Sequence, residues 1–498
     1  MTIWPEALNV DQLFLRERLH SDRDRIALRL DDGEMTYGAV DLLTSRYARA
    51  LRGAGADKGD RVLIVLPDGP DYVAALFAIF RIGAVAIMIN PGLSEAALAE
   101  IVGRARATVA VVDDRYRDAF DRAGAGSESH STVLSPGQLD DDQTDFESVL
   151  TAPDDPAIWL FSGGTTGAPK AVVQTHRSLV NTTTLYGQRS LQLNSEDVTM
   201  AIPKLYFGYA TGSNLLFPFS VGASAILFEE HPTPQAIFDR IERHRPTVLV
   251  NVPSAINQML ADPSAPYRDM ASLRLTTSAG EALPETLYQR WKETFGVELL
   301  DGLGTAEMWH VFVTNTVGDV RPGTLGRVVP GFEIKACDDD GFEVPPGDVG
   351  RLWVGGDSLG LGYFEDPERT EEAFRGKWFV GGDLVSIDED GYVTHRGRAD
   401  DAIKIKGKWF RPQELESVLL DHPSVKEAAV VAIEDDAGLS KPVAFVVADA
   451  GLSEQQLIDW SLERLDAYKH PRRVFFVEAL PQTHLGKVDR SALKRLAG

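Results

Sequence analysis

The stretch SGGTTGAPK, from Ser162 to Lys170, has the composition of a phosphate-binding loop. It follows the apolar run AIWLF, and its glycines permit backbone conformations that present N–H groups to an anion. The predicted phosphate-binding residues are Ser162, Gly163, Gly164, Thr165, Thr166 and Lys170. In a P-loop Gly and Lys are adjacent, whereas here two residues separate Gly167 from Lys170. We therefore expect a mobile loop that steers a leaving pyrophosphate, and the alternative is a plain flexible turn.

Five stretches of the chain, taken in order, resemble the motifs of the adenylate-forming superfamily, which includes acyl-CoA synthetases, stand-alone adenylation domains and luciferases. They are SGGTTGAPKAVVQTH, SAGEAL at 278–283, DGLGTAEMW at 301–309, GGDLVSIDEDGYVTHRGRADDAIKIKG at 381–407 and PQTHLGKVDR at 481–490. The matches span roughly 330 residues. Five matches in the right order are far more specific than any one of them alone.

The resemblance implies roles for four charged residues. Activation of a carboxylic acid brings two anions together, the acid and the α-phosphate of ATP. Positive charge near the reacting phosphorus is therefore the main contribution to catalysis. Lys487 matches the superfamily's lysine for this role, and Glu307 matches the acidic residue that holds Mg²⁺ on the phosphates. Asp383 matches the carboxylate that accepts both ribose hydroxyls, and Arg398 fits the same region. Without the resemblance, each would be interpreted as a surface charge or ion pair.

Other residues of the matching motifs are also expected to contact ATP. They are Gly280, Glu281, Asp301, Gly302 and Thr305. Two positions depart from the usual pattern. Ala306 stands where the superfamily usually has Thr, whose hydroxyl touches the α-phosphate, so this contact is absent or supplied by Thr305. Leu303 replaces a frequent Tyr against the adenine, so aliphatic packing replaces stacking.

Two stretches, PKLYFGYATGSNLLFPFSVGASAILF and DGLGTAEMWHVFVTN, are most similar to the benzoate-CoA ligase group. The residues expected to line the acid pocket are Tyr206, Phe207, Gly208, Tyr209, Ala279, His310 and Val311. The aromatic side chains can pack against a ring in offset or edge-to-face geometry, and the alternative is that they are plain core. Gly208 stands where benzoate enzymes tend to carry Ala, which predicts room for a ring substituent such as hydroxyl, amino or halogen.

The segment KGKWFRPQELE at 406–416 resembles the CoA ligases, in which a Gly and a Trp border the pantetheine tunnel. The corresponding residues are Gly407 and Trp409. A carrier protein delivers the same pantetheine arm, so this segment leaves both acceptors open. Carrier proteins are acidic, and YKHPRR at 468–473 could offer them a basic face, although such a run is more often a solvated surface.

Alternating strand and helix patterns predict an α/β fold that positions these residues. Short β-branched runs at 62–66, 85–89 and 108–112 flank helical patterns at 71–83 and 94–106. The alternation recurs from about residue 234 to residue 302. We expect parallel βαβ sheets here, and an exposed connection in the polar stretch 121–147.

The sequence pattern changes after about residue 322. Turn signals every 8 to 12 residues there predict a small antiparallel β unit up to residue 395. The last hundred residues predict a separate α+β unit. We therefore expect a large N-terminal domain, 1–399, and a smaller mobile C-terminal domain, 400–498. The hinge is placed at Asp400, within the charged stretch RGRADD.

Composition excludes several classes of protein. The 498 residues carry a formal net charge of −24, which argues against a nucleic-acid or anionic-membrane partner. Cys337 is the only cysteine, so intrachain disulfides and cysteine-based zinc sites are excluded. The N-terminus lacks the pattern of a signal peptide, and the longest apolar stretch, 72–80, is too short to span a bilayer. We expect a cytoplasmic location, and a homodimer is left open.

The sequence predicts an ATP- and Mg²⁺-dependent enzyme that activates an aromatic carboxylic acid, benzoate or a substituted benzoate, to an acyl-adenylate and transfers the acyl group to CoA. One alternative is an adenylating enzyme that loads an aryl acid onto a carrier protein. A more distant alternative is a nucleotide-binding regulator without turnover. The presence of Lys170, Glu307, Asp383, Arg398 and Lys487 together argues against the regulator.

Overall fold

A computed structural model of the protein describes residues 4–125, 131–140, 145–162, 170–399, 403–405, 408–434, 440–481 and 488–497. Side chains are described within these ranges except at 162, 403–404, 408–409, 434 and 440. Within the described residues, no helix combines the length and the apolar composition needed to cross a membrane.

Seven strands of the described chain form a mainly parallel sheet close to the N-terminus. In spatial order they are Gly362–Tyr363, Lys170–Thr175, Pro156–Ser162, Val85–Met88, Arg61–Val65, Val109–Val112 and Thr132–Leu134. The helices around it are Tyr37–Gly53, Pro70–Arg81, Glu95–Ala105, Arg117–Gly124 and His176–Thr182, the last continued by a π-helical segment Thr183–Ser190. The three predicted strands are present within a residue or two of their predicted bounds. The expectation of a mere exposed connection at 121–147 is wrong in part, because Thr132–Leu134 adds to the sheet beside Val109–Val112.

A second, nine-stranded sheet contains the parallel strands predicted between 234 and 302. In spatial order its described strands are Arg327–Val328, Val311–Thr314, Leu299–Gly304, Leu275–Ser278, Val248–Asn251, Val198–Ala201, Ser224–Ile226, Ile26–Leu30 and Gly33–Thr36. Its helices are Pro234–His244, Pro253–Ala261 and Glu285–Phe295. Shorter helical segments are Gln12–Arg16, Leu19–Asp22, Gly208–Thr211, Gly212–Leu216 and Phe217–Val221. The α/β fold class is confirmed.

Helix Pro70–Arg81 is nearly all apolar because it lies in the core. Every residue from Tyr72 to Arg81 is buried. Pro70 starts the helix, where its missing N–H costs nothing. The helix ends before Gly83, whose φ of 72° suits glycine. Arg81 is buried with it and is neutralised by Asp11 and Asp41 at 2.9 and 2.6 Å.

The β unit predicted after residue 322 is a separate antiparallel sheet. Its strands are Glu333–Cys337, Val349–Gly355, Trp378–Ile387, Phe374–Arg375 and Val393–Arg398, with helix Pro367–Ala373 beside them. It places Asp383 and Arg398 on neighbouring strands.

The C-terminal part contains a hairpin, Ile403–Ile405 with Lys408–Phe410, and a three-stranded sheet of Val425–Glu434, Ser440–Ala448 and Arg473–Phe476. Its helices are Pro412–Leu420, Glu454–Leu462 and Arg490–Ala497, and the last of these has no counterpart in the sequence prediction. Hydrogen bonds between described residues join this part to the large one. Thr286 Oγ1 donates to Asp421 Oδ1 at 3.1 Å, and Asn257 Nδ2 donates to the carbonyl oxygen of Lys426 at 2.7 Å. Asp400, the predicted hinge, lies outside the described residues.

Candidate active site

A single cleft of roughly 3530 Å³ brings most of the predicted site residues together. It is bounded by the ends of both large sheets, by the five-stranded sheet and by the C-terminal part. The predicted residues that line it are Lys170, Tyr206, Phe207, Gly208, Tyr209, Ala279, Gly280, Glu281, Asp301, Gly302, Thr305, Glu307, His310, Val311, Asp383 and Arg398. The volume exceeds that of an ordinary ligand pocket, ~300–1,000 Å³, because the groove beside the C-terminal part is continuous with it.

The predicted phosphate loop falls mostly outside the described residues, as do Gly163, Gly164, Thr165 and Thr166 within it. Its two ends are described. Ser162 ends one strand and Lys170 begins the next, and the two residues pair directly across the antiparallel ladder. The two described ends therefore belong to neighbouring antiparallel strands, and Lys170 lines the cleft. The Lys170 ammonium lies 5.1 Å from the centroid of the Tyr363 ring, a cation–π contact.

Glu307 lies in a short 3₁₀ turn, Ala306–Met308, that the chain holds at several points. Thr305 Oγ1 caps the turn by accepting from Met308 N at 3.3 Å. Gly360 N donates to the Glu307 carbonyl oxygen at 2.9 Å. The buried Glu307 carboxylate accepts the Tyr363 hydroxyl, with 2.7 Å between Oη and Oε1. Burial, reinforced by this carboxylate, raises the pKa of Tyr363, so the phenol keeps its proton and donates.

Two side chains of the neighbouring strand contact the Asp383 carboxylate, His395 by a hydrogen bond and Arg398 as an ion pair. His395 Nε2 lies 3.1 Å from Asp383 Oδ1, and Arg398 Nη1 lies 3.7 Å from the same oxygen. Residues three apart on a regular strand point to opposite faces. A register shift between Leu384 and Val385 brings His395 and Arg398 to the same carboxylate. The sequence analysis did not single out His395, since the bulge is not visible in the strand pattern.

The residues predicted to contact ATP in the motifs SAGEAL and DGLGTAEMW lie on or just after two neighbouring parallel strands, Leu275–Ser278 and Leu299–Gly304. Asp301 pairs with Ser278 in the ladder, and burial raises the pKa of its carboxyl group to about 8, so it holds a proton at pH 7. Glu281 accepts from Ser254 N at 2.9 Å and from Ser254 Oγ at 3.1 Å, and so caps helix Pro253–Ala261.

The predicted acid pocket has flat walls around a neutral histidine. The His310 ring lies 5.3 Å from Tyr209, 4.8 Å from Phe217 and 5.5 Å from Tyr186, centroid to centroid. Burial lowers the pKa of His310 to about 4, so the ring is uncharged at pH 7. Its Nε2 lies 2.9 Å from the Tyr209 carbonyl oxygen, which can only accept, so Nε2 carries the proton. The Tyr209 hydroxyl lies 2.8 Å from Thr277 Oγ1.

Gly208 begins a short helix at the wall of this pocket, with Phe207 as its N-cap. A Cβ at Gly208 would lie 3.1 and 3.2 Å from the Leu160 methyl groups and 3.7 Å from the Trp309 ring. The φ of Gly208 lies outside the left-handed region, so alanine would bring no backbone strain. The space beside Gly208 is thus set by Leu160, which lines the cleft.

Of the four residues predicted for the hinge, the thiol tunnel and the catalytic lysine, three lie outside the described residues. These are Lys487, Gly407 and Asp400. For Trp409 the backbone is described, in strand Lys408–Phe410, but its side chain is not.

Tyr363, Gln174 and His395 were not predicted from the sequence, and each of them holds a predicted site residue or its backbone. Gln174 Nε2 donates to the Ala306 carbonyl oxygen at 2.6 Å and so fixes the turn that carries Glu307. Gln174 falls within the quoted loop motif and Tyr363 within GYFEDP, but nothing local to either residue indicates the partner.

Comparison with known proteins agrees with this geometry. The model of the AMP-binding enzyme family matches residues 15–364, and that of the AMP-binding enzyme C-terminal domain matches residues 414–487. Benzoate–CoA ligase of Thauera aromatica is 38% identical, with 98% of this chain and 96% of that protein covered. Among solved structures, an anthranilate CoA ligase in complex with anthranoyl-AMP is 34% identical with a TM-score of 0.94, and covers 99% of this chain and 98% of its own. A benzoate CoA ligase from Burkholderia xenovorans LB400 is also 34% identical with a TM-score of 0.90, over 98% of this chain and 99% of its own. The chain therefore belongs to the AMP-binding enzymes, the adenylate-forming superfamily that its five motifs resemble.

Proposed function

We propose that the protein is an AMP-forming aryl acid:CoA ligase that takes benzoate or a substituted benzoate. The observation that carries the proposal is one continuous cleft in which Lys170 and Glu307, which both contact Tyr363, lie beside a flat-walled pocket around a neutral His310. The first part suits phosphate and the second suits an uncharged ring. The benzoate and anthranilate ligases among its relatives support both parts.

Mg²⁺ fits Glu307. The carboxylate is buried, Oε1 accepts from Tyr363, and among the described residues Oε2 has no hydrogen-bond or ion-pair partner. No cluster of three or more His, Cys, Asp or Glu side chains suited to a metal occurs in the described part of the chain. This suits Mg²⁺, which is commonly held by one or two carboxylates together with substrate phosphates. When bound, the ion would neutralise phosphate charge.

In the first half-reaction, a carboxylate oxygen of the acid attacks the α-phosphorus of ATP, and pyrophosphate leaves. The protein's part is to align two anions and to stabilise the charge that develops. Asp383 orients the ribose, while Lys170 and Lys487 place positive charge on the phosphate side. The uncharged His310 ring suits the uncharged aryl ring of the acid at the apolar end of the cleft.

In the second half-reaction, the thiol sulfur of CoA attacks the carbonyl carbon of the acyl-adenylate, the thiol proton is released to solvent, and AMP leaves with both electrons of the broken C–O bond. We propose that the C-terminal part turns about Asp400, withdraws Lys487 and presents Gly407 and Trp409 to the adenylate. The interdomain bonds from Thr286 and Asn257 belong to the arrangement described above. The chain has a TM-score of 0.94 to the anthranilate CoA ligase in complex with anthranoyl-AMP. This similarity supports the assignment of the described arrangement to the first half-reaction.

CoA is favoured over a carrier protein as the acceptor. The basic run YKHPRR, which could have docked an acidic carrier, is partly neutralised by carboxylates of the same chain. Lys469 Nζ lies 2.7 Å from Glu414 Oε2, and Arg473 Nε lies 3.6 Å from Glu454 Oε1. The benzoate and anthranilate relatives named above are CoA ligases.

The test is pyrophosphate release by the purified protein with ATP, Mg²⁺ and a panel of acids: benzoate, aminobenzoates, hydroxybenzoates, chlorobenzoates and, as controls, hexanoate and acetate. We expect release with the aromatic acids and conversion of CoA to an aroyl thioester, measured by mass spectrometry. A preference for the aliphatic acids would refute the aryl assignment. Pyrophosphate release from a benzoate without any thioester in the presence of CoA would refute the acceptor.

A further inference from the structure

Tyr363 lies on a two-residue strand that pairs with the strand beginning at Lys170. Gly362–Tyr363 pairs with Val172 and Val173, and the flanking bonds from Leu361 N and Phe364 N extend the ladder at 2.9 and 2.8 Å. Gly362 has a φ of 124°, and a Cβ there would lie 2.5 Å from Thr370 Cγ2. The backbone of this two-residue strand therefore has little conformational freedom, and the Tyr363 ring is fixed relative to Lys170.

The Tyr363 side chain makes a different contact with each of its three faces. The hydroxyl donates to Glu307 Oε1 at 2.7 Å. The ring lies 5.1 Å below the Lys170 ammonium, and it packs edge-on against Phe374, with 5.5 Å between centroids. Tyr363 is only 7% exposed, so water has little access to replace either polar contact.

We propose that Tyr363 is a positioning residue that orients the Glu307 carboxylate for Mg²⁺ and the Lys170 ammonium for the ATP phosphates. The inference rests on the proposed function. The hydroxyl occupies one carboxylate oxygen and leaves Oε2 directed elsewhere, and the ring face restricts a lysine that would otherwise sample many rotamers. Tyr363 touches neither the acid nor the reacting phosphorus in this assignment.

Two substitutions separate the two contacts. Tyr363→Phe keeps the ring and its packing but removes the hydrogen bond to Glu307. Tyr363→Leu removes the ring as well. Loss of an outer partner that orients a metal ligand typically costs about 10- to 100-fold in metal affinity. We therefore expect Tyr363→Phe to raise the Mg²⁺ concentration for half-maximal ATP binding by about 10- to 100-fold, and to leave ATP binding in EDTA unchanged.

The experiment is calorimetric titration of the intact protein with ATP, without acid or CoA, over a series of Mg²⁺ concentrations and in EDTA. Tyr363→Leu should weaken ATP binding both with Mg²⁺ and in EDTA, because Lys170 loses its contact with the aromatic ring. The matched control is Tyr288→Phe, which removes a tyrosine–glutamate bond, Tyr288 Oη to Glu298 Oε1 at 3.0 Å, away from the cleft lining. This control should leave both measurements at wild-type values.

Thermal unfolding of each variant distinguishes a positioning role from a structural one. A shifted Mg²⁺ dependence in Tyr363→Phe with a Tm close to that of Tyr288→Phe supports the inference. Wild-type Mg²⁺ dependence in Tyr363→Phe overturns it, whatever the Tm. If wild-type protein itself binds ATP without any Mg²⁺ dependence, the Mg²⁺ part of the proposed function fails and the inference fails with it. If wild-type protein binds ATP in a Mg²⁺-dependent way and Tyr363→Phe shows the same dependence, the proposed function stands and only the positioning role of Tyr363 is excluded.

Discussion

Substitution of Gly208 by alanine tests the prediction that the acid pocket admits a substituted ring. The new methyl group would lie 3.1–3.2 Å from both Leu160 methyl groups, closer than an ordinary contact of about 3.5–4.0 Å between carbon atoms. Leu160, which lines the cleft, must therefore shift by a few tenths of an ångström. We expect this shift to reduce the space for a substituted ring.

The expected magnitude follows from the size of the change. A methyl-scale difference in an apolar pocket is worth roughly 1–3 kcal/mol in kcat/KM, or about 10- to 200-fold. We expect Gly208→Ala to lower kcat/KM for a substituted benzoate by this factor relative to benzoate. The fold should not suffer, because Gly208 has an ordinary φ at a helix start, where alanine is favourable.

The assay is pyrophosphate release with benzoate and with each aminobenzoate and hydroxybenzoate, in wild type and variant. Leu160→Val supplies the control, since the double variant Gly208→Ala/Leu160→Val should recover much of the lost preference. An unchanged ratio would show that the space beside Gly208 does not reach the ring. Equal losses for all acids would point to a general disturbance of the wall and refute the reasoning.

Three further predictions concern the proposed catalytic lysine, the proposed hinge and a buried acid. Lys487→Ala should lose roughly 3–4 kcal/mol of transition-state stabilisation, about two to three decades in rate, in adenylation, while thioester formation from supplied acyl-adenylate is nearly unchanged. Asp400→Pro fixes φ, so adenylation should survive and thioester formation should fail. For Asp301, burial raises the pKa from 3.8 to about 8, so the folded state binds more protons between pH 4 and 8 and stability falls as pH rises through this window. Asp301→Asn should remove up to about 1.4 kcal/mol per pH unit from that slope, measured by urea unfolding between pH 5 and 8.

Each of these predictions has a contrary outcome. Equal damage to both half-reactions would exclude the proposed role of Lys487. Normal rates for both half-reactions in Asp400→Pro would place the hinge elsewhere in the chain. Parallel stability curves for wild type and Asp301→Asn would mean that Asp301 ionises normally in the folded protein.

Local patterns in the sequence predicted most of the fold. Strands such as Arg61–Val65 and Val85–Met88 and helix Pro70–Arg81 were predictable because an apolar run and its period are local properties. The same patterns missed strand Thr132–Leu134, which is short and lies in a polar surrounding, and helix Arg490–Ala497. The order of the five motifs indicated the adenylate-forming chemistry, because each motif carries its charged groups within a few residues.

Only the tertiary structure decided which residues hold those charged groups. Tyr363 reaches Glu307 across 56 residues of chain, and a bulge brings His395 to Asp383. The direction of the missing Gly208 methyl, toward Leu160, likewise depends on how a helix start lies against a strand. The sequence by itself determined the chemical groups and their local elements, since these depend on neighbours along the chain. The orientation of each side chain and the identity of its hydrogen-bond partner depend on sheet register and on how strands cross. Both arise only when distant segments of the chain pack together.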